Sequence, residues 1–154
     1  MKLGDRADQQ WARVERYFAR FEALSRKGRI HDAASETYVD DVYSFFIQCY
    51  HLKDWIAADG TSPLQSAVRE FGKRSQAFQV CRDLCLGVKH LNVVRPSSDL
   101  NDARLGRKGV EFNVSSGVFT MRVFVRVGSD EQDAFDIAKE CMGEWRKFLG
   151  IEEA

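Results

Sequence analysis

The residues whose types could do chemistry fall in two patches. Tyr50-His51-Leu52-Lys53-Asp54-Trp55 closes a strongly apolar run, and Arg82-Asp83 leads a second stretch that ends at Lys89-His90. Histidine titrates near neutral pH and can take or give a proton, which makes His51 and His90 the acid–base candidates. An arginine can hold the charge that builds on a reacting phosphate, and Arg82 is the cation in position to do so. Asp83 supplies a carboxylate able to orient such groups. His51, Asp54 and His90 also offer two histidines and a carboxylate for a metal. Against that stand a total of three histidines and the lack of a paired ligand motif on either segment, so neither a metal nor a cofactor is expected. Cys49, Cys81, Cys85 and Cys141 read as buried thiols, because Cys81 and Cys85 stand four apart rather than as Cys-x-x-Cys.

These residues need elements to place them. Trp11, Val14, Phe18, Phe21 and Leu24 recur at helical steps, so a first helix is expected from about Arg6 to Arg26, closed by Gly28. A second should run from about Asp32 to Ala58 and stop at Asp59-Gly60. Tyr38, Val39, Val42, Phe45, Phe46, Cys49 and Ile56 share one arc of it, joined at its edges by Tyr43 and Tyr50. An apolar arc of more than half the circumference belongs to a helix at the centre of a bundle. His51 lies on the opposite strip with Asp40, Ser44 and Gln48. Lys53 alone follows the apolar side, where its stem can cover apolar surface while the ammonium reaches water.

A third helix begins at Ser62-Pro63, is interrupted near Gly72, and restarts at Ser75 to run to about Leu91. Its apolar face holds Val80, Cys81, Leu84, Cys85, Val88 and Leu91. Asp83, Gly87 and His90 form a separate stripe, and Arg82 and Lys89 share the other flank. Gly87 in mid-helix costs about 1 kcal/mol against alanine, which suggests a close backbone approach or a bend. Residues 92–108 are polar and loop-like. "GVEFNV" and "VFTMRVFVRV" then read as two strands around a tight turn. Ser129-x-x-Gln132 looks like a capping box that opens a closing helix, which ends at Gly150.

The expected fold is therefore α+β, mainly α: a bundle of about four helices with a β-hairpin inserted before the C-terminal helix. A single domain should span 1–154, with a helical part 6–91, a loop 92–108, a hairpin 109–127 and a closing helix 130–149. Twenty-three basic residues balance twenty-three acidic ones, so nucleic acid or an acidic surface would need a local patch. No apolar run approaches the ~20 residues of a membrane-spanning helix. "MKLGDRADQQ" lacks the apolar core of a signal peptide, and a cytoplasmic protein without membrane contact is expected.

"YHLKDW" followed by "CRDLCLGVKHL" resembles a group of uncharacterised bacterial and phage helical proteins that carry a His-Leu-(Lys/Arg)-Asp-Trp patch ahead of a Lys-His patch. More remotely, the second patch resembles HEPN domains, helical bundles that include RNA-cleaving toxins and defence effectors. Active members carry an arginine, a polar follower and, a few residues on, a histidine. That resemblance implies a metal-independent endoribonuclease using Arg82, Asp83 and His90. Seven residues intervene between Arg82 and His90, which sets the two side chains about 80° apart on a regular helix. A distortion at Gly87 would be needed to bring them together.

Binding roles are expected for His51, Lys53, Asp54 and Lys89, and for Arg107, Lys108, Arg122 and Arg126. On the second strand, Arg122 and Arg126 flank Phe124 on one face, a cation–aromatic pattern that single-stranded RNA can use. With no phosphate loop and no nucleophile–base pair legible, the leading expectation is a macromolecule-binding or regulatory protein. Its partner would be a protein or a second copy of the chain, with RNA as a further possibility, and the ribonuclease is the alternative.

Overall fold

The computed structural model describes residues 3–26, 35–73, 75–89, 103–116 and 118–151. Helix α1 (Asp5–Arg26) and helix α2 (Ser35–Asp59) lie antiparallel. The start of α1 meets the end of α2, where Asp59 Oδ2 accepts from the backbone N–H groups of Arg6 and Ala7 at 2.7 and 3.2 Å. Far along both helices, Ser25 Oγ and Tyr38 Oη are 2.7 Å apart. Asp59 therefore ends one helix and caps another, which supplies acceptors to N–H groups that α1 cannot satisfy internally. A β-carbon on Gly4 would overlap Asp59, so glycine is required at this junction.

The wide apolar arc read from the sequence does make α2 central: Val42, Phe45, Phe46, Cys49, Leu52 and Ile56 are fully buried. Helix α3 (Ser62–Val68) carries Pro63 in its first turn, as expected. Gly72, at φ +82°, then breaks the chain direction, and a β-carbon there would come within 2.9 Å of the Phe78 ring. Helix α4 (Gln76–Lys89) restarts behind Ser75, whose Oγ accepts from the N–H of Phe78.

Strand β1 (Arg104–Asn113) begins five residues before the hairpin expected at Gly109, as Arg104↔Arg126 and Leu105↔Val125 already pair. A register shift between Leu105 and Lys108 carries the strand through this polar stretch. The expected helix end at His90 and Leu91 and the part of the expected loop at 92–102 lie outside the described residues. Strand β2 (Val118–Val127) pairs with β1 on one side and with β3 (Asp130–Asp133) on the other, giving an antiparallel sheet of order β1-β2-β3.

The third strand corrects the expected capping box. Val127 pairs with Asp130 across Gly128-Ser129, and Gly128 takes φ +62°, which a two-residue hairpin turn favours. Helix α5 (Ala134–Leu149) accordingly starts later, with Asp133 as its cap: Oδ1 accepts from the N–H of Phe135 at 2.8 Å. At its other end Gly150 adopts the expected left-handed stop at φ +66°.

Alternation along β2 buries Val123, Val125 and Val127 toward α1 and α5. Two aromatic groups fill the core: Phe18, Phe21, Phe45, Phe46 and Phe135 around α1 and α2, and Phe71, Phe78, Trp145 and Phe148 between the α3–α4 turn and α5. The protein is thus α+β and mainly helical, with the sheet ahead of the C-terminal helix. No described helix is long and apolar enough to cross a membrane.

Candidate functional site

The first patch of the sequence lies on the last turns of α2 and faces the middle of α4. His51 Nδ1 is 3.0 Å from Asp54 Oδ2, one turn on, and His51 Nε2 is 3.7 Å from Cys85 Sγ on α4. An ionised carboxylate can only accept, so the neutral imidazole places its proton on Nδ1 and presents Nε2 to the thiol. Thiol, imidazole and orienting carboxylate stand in the order that activates a nucleophile. Their exposures differ: the His51 side chain is 50% exposed, whereas Cys85 is 5% exposed. Solvent and ligands therefore meet the imidazole first.

Lys53 sits beside this group with its ammonium 4.4 Å from the centre of the Tyr50 ring and 3.4 Å from Asp54 Oδ1. Burial alone would lower its pKa, but Tyr50 and Asp54 outweigh that and raise it, so the charge is held. The stem does cover apolar surface while the head reaches outward. It reaches the rim of a groove of about 600 Å³ between α2, the α3–α4 turn and α4. Tyr50, Phe71 and Phe78 give the groove its aromatic wall, and Lys53, Arg69, Lys73 and Arg82 line it with Asp54, while Lys73 pairs with Glu70 at 2.8 Å and Arg82 with Asp83, so four cations stand with three carboxylates. Phe71 is held by Phe78, Trp145 and Phe148, with ring centres 4.8, 4.2 and 4.6 Å away, so this wall is braced by the core.

Arg82 also reaches Asp83, at 3.1 Å, and Asp83 is 2% exposed. His90 and the Lys89 side chain lie outside the described residues, and so do the Arg82–His90 pair and the third member of the His51–Asp54–His90 set. Of the two expected reasons for Gly87, the described residues bear only on the first. Among the described residues a β-carbon there would meet nothing within 4 Å, so no close backbone approach accounts for it.

Arg122 and Arg126 lie on β2 where the alternation puts them, whereas Arg107 and Lys108, expected in the loop, lie on β1, and the three arginines have acidic partners. Arg122 Nε is 2.8 Å from Asp133, Arg107 and Arg126 both reach Glu131 at 3.5 and 3.7 Å, and the Arg107 guanidinium covers the Phe124 ring at 4.0 Å. Lys108 is exposed on β1. Arg26 adds a second cation to Asp133. Burial would raise the Asp133 pKa, but the Phe135 N–H and the two arginines overcome this and lower it. These charges fasten β2, β3 and the start of α5 together.

Three features escaped the sequence. Cys85 was assigned to the apolar face of α4, and its approach to His51 depends on how α4 packs against α2. Arg69 and Lys73 were passed over because their turn had no recognisable pattern, although Gly72 beside them marked the bend. Cys49, Cys81 and Cys141 converge from α2, α4 and α5, with their sulfurs within 4.8 Å of one another. There, burial opposes ionisation of Cys49, yet hydrogen bonds from Cys141 and Cys81 lower its pKa, while burial pushes Cys81 and Cys141 well up. Comparison with family models, curated proteins and solved structures finds no match to this chain.

Proposed function

We propose that the protein is a binding module that takes a short single-stranded RNA segment in the groove between α2 and α4. The observation that carries this reading is the groove's composition: four cations around an aromatic wall, in excess of the carboxylates of Asp54, Glu70 and Asp83 that pair with them. Phosphates meet the cations and a base lies against the aromatic wall, the combination that single-stranded nucleic acid uses. The volume lies within the usual range of ligand pockets, about 300–1,000 Å³. An apolar protein interface has less support. Among the described side chains the exposed large hydrophobics are Trp55, Val114 and Ile151, which stand on separate segments rather than in one patch.

Fluorescence anisotropy with labelled RNA and single-stranded DNA oligomers, and with polyglutamate as a second anion, tests the reading. RNA binding should weaken with salt, and Lys53→Met or Arg69→Ala should each flatten the log Kd against log salt slope by about 0.7. Equal affinity for polyglutamate would assign the groove to acidic protein segments instead. No binding to any polyanion, with light scattering showing a dimer, would assign the protein to self-association.

Cleavage is the second reading, favoured by His51 held between Asp54 and Cys85, with Asp54 and Arg82 both lining the groove. RNA incubated with EDTA should be cut by the wild type if it holds. Loss in a folded His90→Ala variant but not in His51→Ala would assign the reaction to the Arg82–His90 pair, and the reverse would assign it to His51.

A further inference from the structure

We propose that Cys49, Cys81 and Cys141 form a three-sulfur site for a trivalent ion of the arsenic group, independent of the groove. The three residues come from α2, α4 and α5, none is in a disulfide, and each is fully buried. Their sulfurs already lie within 4.8 Å of one another. Bonds of about 2.3 Å to a pyramidal arsenic(III), whose lone pair holds the S–As–S angles at about 95–100°, set the sulfurs about 3.5 Å apart, so binding asks the three to draw together. The surroundings hold the ligands in place. Cys81 Sγ–H donates to the Phe46 carbonyl at 3.4 Å, and the Trp145 indole N–H donates to the Cys49 carbonyl at 3.2 Å.

The donor set and its burial select the ion. Sulfur alone disfavours hard cations such as magnesium and calcium. Structural zinc takes four ligands, and among the described residues the cluster offers three. Charge decides among the soft ions. Three thiolates around copper(I) carry two negative charges and around a divalent ion one, whereas around arsenic(III) or antimony(III) the complex is neutral. A site with no exposure to water favours the neutral complex. The reaction balances without an oxidant or a net proton: As(OH)3 and three thiols give the tris-thiolate and three waters. Each As–O bond is exchanged for As–S, and each thiol proton leaves on the displaced hydroxide.

The test uses full-length reduced protein and arsenite, added both to the folded protein and during refolding from denaturant, so that slow entry cannot mask binding. One arsenic per chain is expected, with a sulfur-to-arsenic ultraviolet band and three As–S bonds by X-ray absorption. At a hundredfold excess over Kd the melting temperature should rise by about 5–10 °C. Cys81→Ala and Cys141→Ala should lose the band, and Cys85→Ala should keep it. Absence of the band in both preparations overturns the proposal. So does retained As–O bonding in the wild type, which needs no variant to fold, or loss of arsenic with Cys85.

Discussion

Asp133 shows how much one side chain can join. It caps α5 through Phe135 and accepts Arg26 and Arg122, whose side chains are 31% and 29% exposed. Asparagine is an equally good cap but carries no charge. Asp133→Asn should therefore cost about 1–2 kcal/mol through the ion pairs, and Asp133→Ala about 1 kcal/mol more through the lost cap. The pH dependence has a definite sign. The folded pKa lies below the ordinary carboxylate value, so the stabilisation is complete above the unfolded pKa of about 4 and is lost as pH falls through the folded value. Urea denaturation from pH 7 to pH 2 checks it: the gap between wild type and Asp133→Asn should close on the acid side. A gap that stays constant would remove the electrostatic account. Asp133 was not among the residues legible in the sequence, because "SDEQD" reads equally well as a helix start.

At the scale of elements, α4 carries a test of what Gly87 is for. Among the described residues nothing crowds it, and helix propensity alone predicts that Gly87→Ala stabilises the protein by about 1 kcal/mol. A thermal or urea melt reads this directly. Destabilisation instead would mean that the helix needs glycine at this point, as a bend toward His90 requires. The elements also show why local patterns sometimes mislead. Strand β3 has four residues, three of them exposed and all polar, so no apolar alternation could announce it. Its hydrogen-bonding partner is β2, and the turn at Gly128-Ser129 was the one local sign. The first half of β1 is likewise polar and is a strand because β2 offers it a ladder. Helices α1 and α5 were legible because each has a one-sided apolar stripe, and α2 because of its wide apolar arc, patterns that do not depend on a neighbour.

Across the whole molecule, the groove and the core are mechanically one object. Trp145 on α5 packs against Phe71 of the groove wall and Phe78, and it donates to the backbone of α2 at Cys49. Trp145→Phe removes that donor and some packing volume, and should cost about 1–3 kcal/mol. If Phe71 is braced as described, the same change should also weaken oligonucleotide binding several-fold at temperatures where the variant is fully folded. Anisotropy and circular dichroism on one sample separate the two effects, and unchanged affinity would show the wall to be independent of α5.

The amino-acid sequence by itself determined the helical stripes, the central place of α2, the stops at Gly72 and Gly150, and the two inward and outward faces of β2. Each follows from side-chain periodicity or from a backbone preference that acts within a few residues. Tertiary structure alone decided that His51 meets Cys85, that Arg69 and Lys73 share a groove with Lys53 and Arg82, that Asp59 caps a helix begun more than fifty residues earlier, and that three cysteines converge. Those contacts depend on the relative rotation and offset of packed helices. That rotation and offset are set by the interlocking of many core side chains at once, which no single stretch of the chain encodes.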